Sequence, residues 1–190
     1  MTIRQRLWRG ILRVFGWRLV GSFPEPRRYV VVGGPHTSNW DFPLGMMAAR
    51  GFGVKISFIG KHTLFRRPFA WFFRWLGGIP IDRSRPGGMV EQTAEAFSTH
   101  ESLVLVIAPE GTRSATEVWK SGFYYIATAA HVPIIPAAVD AGRREVRLGE
   151  PMHLSGDLAV DMGLVREFFE GVRGIRPERQ GPVRLREEIG

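Results

Sequence analysis

Short apolar runs rich in Val and Ile recur along the chain at 29–32, 55–59, 103–108 and 134–139, each bounded by Gly, Pro or polar residues. Their length and composition predict buried β-strands. Between them, the stretches around 41–50, 67–76, 88–100 and 117–130 carry apolar residues at helical spacing. Strands spaced by helices imply right-handed βαβ units, hence an α/β fold whose mainly parallel central sheet is flanked by helices. Residues 146–154 predict an edge strand and 157–173 a last helix. The tail 176–190, rich in charge and Pro, is expected to be loosely held.

The N-terminal segment has a different pattern. MTIRQRLWRGILRVFGWRLVGS contains five Arg and no acid. On a helical projection Ile3, Leu7, Trp8, Ile11, Leu12, Val14, Phe15 and Leu19 gather on one broad arc, with Arg6, Arg9 and Arg13 opposite. Such a helix suits a bilayer interface, its aromatics at headgroup level and its arginines on phosphates. The stretch 64–78, LFRRPFAWFFRWLGG, repeats the mixture of Arg with Phe and Trp. Neither is an uninterrupted apolar run of about 18 residues, so no transmembrane span is expected. Arginines break the apolar region, so no secretory signal is expected either. The organisation read from the sequence is a membrane-surface amphipathic helix over 1–22, one domain over 23–175 and a charged tail over 176–190.

Charge sharpens this reading. The net charge of +8 is unevenly spread. Residues 1–85 hold 13 Arg and 2 Lys against Glu25, Asp41 and Asp82, a net +12, and the remainder is −4. A basic half of this kind seeks an anionic surface, a membrane or a nucleic acid, and its interleaved aromatics favour the membrane. With no cysteine there is no disulfide framework and no thiolate chemistry. His62, His100, His131 and His153 show no metal-ligand spacing, so no metal is expected. No phosphate loop or dinucleotide fingerprint is present.

In a parallel sheet, ligands collect outside the carboxyl ends of the strands. Two loops stand there, PHTSNWD after 29–32 and APEGTRS after 103–107. His36 and Asp41 are five residues apart and cannot share a helical face. If the helix starts near Thr37 or Ser38, with Thr37, Ser38 or Asn39 as its cap, the turn folds the carboxylate back onto the imidazole. A carboxylate on one ring nitrogen fixes the tautomer and supports the charge when the other nitrogen takes a proton. Such a pair is a general base for a substrate hydroxyl, or else a structural bond at a turn.

Four blocks in order resemble the glycerolipid acyltransferases of the 1-acyl-sn-glycerol-3-phosphate acyltransferase type. They are His36-Thr37-Ser38-Asn39-Trp40-Asp41, Gly78-Ile79-Pro80-Ile81-Asp82-Arg83, Pro109-Glu110-Gly111-Thr112-Arg113-Ser114 and Val132-Pro133-Ile134-Ile135-Pro136. The resemblance implies acyl transfer from acyl-CoA or acyl carrier protein to a lysophospholipid, in phospholipid biosynthesis at the cytoplasmic face of a membrane. It requires no cofactor and no nucleic acid. It makes His36 the catalytic base and Asp41 its support. It assigns Lys61, Arg83, Glu110, Gly111, Thr112 and Arg113 to acceptor binding, with Lys120 a further candidate. The sequence departs from the family at Pro35, where Asn is common, and at Pro80, where a large apolar residue is usual. The acceptor therefore stays open, between 1-acyl-glycerol-3-phosphate and an ornithine-type or lipid A-type lipid. A non-catalytic basic module for membrane or nucleic acid, and a metal hydrolase, are the readings from other classes.

Overall fold

The computed structural model describes residues 1–25, 27–82 and 88–189 and, within them, every side chain but those of Lys61 and Leu64. Seven strands form one sheet: β1 (Arg18–Val20), β2 (Arg28–Gly34), β3 (Ile56–Lys61), β4 (Gly78–Ile81), β5 (Leu103–Ile107), β6 (Ile134–Asp140) and β7 (Glu145–Leu148). Their order is β1-β7-β6-β2-β5-β3-β4. The five strands from β6 to β4 run parallel, and β7 turns back antiparallel on β6 with β1 alongside it. The helices are α1 (Ile3–Val14), α2 (Asp41–Phe52), α3 (Ala70–Trp75), α4 (Gly88–Thr99), α5 (Gly122–Ala130) and α6 (Leu158–Phe169). The α/β class, the mainly parallel sheet and the N-terminal helix expected from the sequence are all present.

Alternation along the strands sorts the helices into two layers. Val30, Val32, Leu103, Leu105 and Ile134 face α4, α5 and α6, meeting Phe97, Phe123, Ile126, Met162 and Val165. Their neighbours Tyr29, Val31, Val104 and Ile135 face the other way, toward Ala49 of α2. Helix α1 lies beside α2 in the same layer, its Leu12 clustered with Leu44 and Ala48 of α2 and Val146 of β7. Helix α3 shares that side. Phe58 points at Phe42 of α2, Gly78 is its registered partner, and a side chain on Gly78 would meet Phe65 and the Phe73 carbonyl.

Local chemistry explains the boundaries. Thr2 and Gln5 form a capping box that starts α1. Gly16, at φ 77°, ends it by taking a left-handed turn that L side chains resist. Residues 18–20 then leave the helix expected over 1–22 and become β1, held by the Arg18–Glu145 ion pair at 2.8 Å. Strand β4 is likewise absent from the expected strands; it carries Pro80, and as the sheet edge it tolerates the missing donor. The expected helix over 117–130 begins only at Gly122. The tail is not loose: Leu185 is fully buried in the core, the Trp119 N–H donates to the Arg184 carbonyl at 2.8 Å, and Arg166 pairs with Glu188. Apolar positions spaced among its charges, Val183 and Leu185, do the docking.

Candidate active site

Strands β2 and β5 are neighbours in the middle of the sheet, so the loops that follow them leave side by side. The first loop carries His36 and leads into α2 at Asp41. The imidazole Nδ1 lies 3.1 Å from Asp41 Oδ2. That same oxygen accepts the backbone N–H groups of Thr37 and Ser38, both at 2.7 Å. The expected Thr, Ser or Asn cap is therefore replaced. Trp40 is the N-cap without a side-chain bond, and Asp41, the first helical residue, folds back to gather the loop's donors. Asp41 is only 7% exposed, and its Oδ1 is buried without a hydrogen-bond partner. With Nδ1 taken by a carboxylate, Nε2 is the nitrogen left for proton exchange, and the ring lines an open cleft.

The second loop supports the first from behind. Glu110 Oε1 accepts the His36 backbone N–H at 2.9 Å, and Glu110 is 7% exposed. Burial pushes its carboxyl above the ordinary glutamate range, while the His36 N–H pulls it back. Gly111 takes φ 65°, and a side chain there would run into Lys120, whose Nζ would stand 2.7 Å from the new carbon. Gly111, Lys120 and His36 line the same cavity. The Arg176 N–H donates to Thr37 Oγ1 at 3.1 Å, so the C-terminal segment also braces the His36 loop.

The cavity has a volume of about 540 Å³ and runs from His36 between α2 and the sheet toward Phe23 and Leu148. Its lining is mainly apolar: Val31, Phe42, Phe52, Phe58 and Val106, with Gly33, Gly45, Ala48, Ala49 and Ala137 leaving the space open. A side chain at Gly45 would meet nothing within 4 Å. Sequence reasoning missed this chamber. Its signal is the small residues Gly45, Ala48 and Ala49 at helical spacing on α2, which strand and loop motifs do not reveal.

Of the residues expected to form the site, His36, Asp41, Glu110 and Gly111 come together. Thr112 and Arg113 are exposed beyond the cavity, and Thr112 Oγ1 accepts the Ser114 N–H. Lys61 ends β3, paired with Ile81, but its side chain and the whole of Arg83 lie outside the described residues. Lys120, from the Trp-Lys-Ser-Gly segment, is a described cation in the cavity wall. Among the described residues no three His, Asp or Glu are placed to hold a metal.

A fold of this order, with a His–Asp pair at the carboxyl end of a central strand and an apolar chamber beside it, defines an α/β protein whose cleft joins a polar mouth to an apolar interior. A family model described as Acyltransferase matches residues 19–140, and the chain belongs to that family. It is 26% identical over 166 residues to a 1-acyl-sn-glycerol-3-phosphate acyltransferase of Streptococcus pneumoniae, covering 77% of this chain and 62% of that protein. It is 32% identical over 156 residues to 1-acyl-sn-glycerol-3-phosphate acyltransferase alpha of Mus musculus, covering 70% and 53%. The chain thus spans between half and two thirds of the length of these relatives. In fold it is similar to the crystal structure of the 1-acyl-sn-glycerophosphate (LPA) acyltransferase PlsC from Thermotoga maritima, with a TM-score of 0.57 and 23% identity over 86% of this chain and 74% of that one.

Proposed function

We propose that this protein is a membrane-surface O-acyltransferase that moves a fatty acyl group from an acyl thioester, acyl-CoA or acyl carrier protein, to the free hydroxyl of a lysophospholipid, 1-acyl-glycerol-3-phosphate first among them. The observation that carries the reading is the His36–Asp41 pair, 3.1 Å apart, at the mouth of an apolar cavity of about 540 Å³. His36 Nε2 takes the proton of the acceptor hydroxyl as its oxygen attacks the thioester carbonyl. The tetrahedral intermediate collapses, the C–S bond breaks, and the protonated imidazole returns its proton to the departing thiolate. No acyl-enzyme forms. Asp41 holds the tautomer and stabilises the imidazolium, and a base placed in this way contributes on the order of 10²–10⁴-fold.

Glu110, expected to contact the acceptor, also fixes the His36 peptide by accepting its backbone N–H. Lys120, together with Arg113, Arg83 and Lys61, supplies cations for the acceptor phosphate, which sets the distance of its hydroxyl from Nε2. The acyl chain lies in the chamber under α2. Helix α1 rests on the bilayer, at the cytoplasmic face, through its exposed Ile3, Leu7, Val14 and Phe15, with Arg6 and Arg13 beside them. No helix of the described residues is long and apolar enough to cross a membrane.

The deciding experiment incubates the protein with acyl-CoA and acyl carrier protein thioesters against a panel of lysolipids, including ornithine-type and lipid A-type acceptors, and reads products by mass spectrometry. His36→Ala, with an unchanged circular dichroism spectrum, is expected to abolish transfer. Turnover retained in that variant overturns the mechanism.

A further inference from the structure

We propose that a basic pocket at the foot of α3 is a second phosphate site, separate from the catalytic cleft, that takes the headgroup of an anionic bilayer phospholipid while the aromatics of α3 enter the interface. The pocket has a volume of about 400 Å³ and is lined by Arg27, Lys55, Arg74 and His100, together with Ser57, Ser102 and the first residues of β5. Four separate chain segments deliver these four side chains. All lie at the amino-terminal ends of the parallel strands, so a strand length, on the order of 20 Å, separates them from His36.

Two of the four have structural duties. Arg27 Nη1 donates to the Gly53 carbonyl at 2.6 Å and its Nε to Glu25 at 2.6 Å, and His100 Nδ1 donates to the Ala96 carbonyl at 2.8 Å. These bonds satisfy carbonyls at the C-terminal ends of α2 and α4, where cations belong. Lys55 and Arg74 are different. Both are exposed, and among the described residues neither forms an ion pair. Of the nearby acids, Glu25 is held by Arg27, and Glu101 is not among the lining residues. Positive charge in excess of what the helix ends require is left facing one concave space, and an anion is what such a space attracts.

The neighbouring surface identifies the source of that anion. Trp71 and Trp75 of α3 are 71% and 65% exposed, with Phe69 exposed beside them and Arg74 on the flank of the same helix. Amphipathic aromatics with a basic flank are the composition of a membrane interface, whereas a site for a soluble phosphate needs no exposed Trp. Helix α3 also occupies the same layer as α1, whose exposed apolar stripe faces out of that layer. One bilayer lying along the layer meets both helices and brings its headgroups to the rim where Lys55 and Arg74 stand.

The test uses the full chain and vesicles of phosphatidylcholine with or without phosphatidylglycerol. Lys55→Gln combined with Arg74→Gln is expected to weaken binding to the acidic vesicles by about 25-fold, at roughly fivefold per charge, and to leave binding to neutral vesicles unchanged. Arg179→Gln with Arg186→Gln, two exposed cations of the C-terminal tail, is the charge-matched control and is expected to cost less than about threefold. An equal loss in both pairs overturns the site. Trp71→Ala with Trp75→Ala is expected to weaken binding to both kinds of vesicle. The chain has three lysines, so acetylation of Lys55 is readable by mass spectrometry. Acidic vesicles should protect it and inorganic phosphate should not; protection by phosphate alone makes the ligand a soluble anion and overturns the lipid assignment. His36→Ala must keep full vesicle binding, which separates failure of this site from failure of the acyl-transfer reading.

Discussion

The two faces of the sheet differ in density. On one, Phe97, Ile126, Met162 and Val165 interlock with Val30, Val32, Leu105 and Ile134, and all are essentially inaccessible to solvent. On the other, glycines and alanines under α2 keep open the chamber that reaches His36. The packed layer therefore fixes the strands, and with them the loops at their carboxyl ends, so that the second layer can stay hollow. Buried carboxylates show the same contrast. Asp161, on the packed side, accepts the Ser155 and Gly156 N–H groups, the Ser155 hydroxyl and the Tyr124 hydroxyl. Glu110, beside the chamber, leaves Oε2 without a hydrogen-bond partner. Asp161 has both oxygens bonded within the packed layer, and Glu110 is held at a cost in solvation beside the His36 loop.

If the faces divide labour in this way, substitutions on them should fail differently. The largest effect is expected from Phe97→Ala in the packed layer, which should lose about 3–5 kcal/mol in denaturant unfolding while the surviving folded protein keeps its turnover. Asp41→Asn beside the chamber should do the reverse. Its amide still accepts a loop N–H, so stability changes little, but the imidazolium loses its counter-charge and turnover should fall at least roughly 10²-fold. Equal losses of stability and turnover in both variants would break the comparison.

Filling the chamber sharpens it. Gly45→Leu adds a side chain where a new carbon meets nothing within 4 Å. The helix should gain up to about 1 kcal/mol from losing a glycine, and the preferred acyl thioester should become shorter by several carbons, read from competition between donors. An unchanged chain-length profile places the acyl group elsewhere.

The smallest effect lies in the pH dependence of stability. Burial holds the Glu110 carboxyl above its ordinary value of 4.5. Between that value and the raised one, the folded state binds a proton that the unfolded chain has released, so stability falls as pH rises through the window. Asp161 has the opposite sign. Burial raises its pKa, but the Ser155, Tyr124 and Gly156 hydrogen bonds outweigh that and hold it below 3.8, so its contribution is present above 3.8 and is lost as pH falls through the lowered value. Glu110→Gln should remove the first slope and leave the second, measured as denaturant midpoints across pH.

Period and composition along the chain specified the four central strands, the helices between them and the two loops that carry His36, Asp41, Glu110 and Gly111; the family resemblance singled out Glu110 and Gly111 within theirs. These are local properties, because an apolar run and its bounding glycines and prolines bias the same few residues that form the element. Short-range pattern could not reach what depends on partners distant in the chain. Strand β1 exists because Arg18–Val20 finds β7, more than a hundred residues away. The tail is ordered because the core has room for Leu185. Glu110 accepts the His36 backbone N–H and does not line the cavity, a placement that depends on β2 and β5 lying side by side. The chamber and the basic pocket are likewise spaces between elements. A sequence specifies which surfaces are apolar or charged; only the packed arrangement decides which of them enclose a volume.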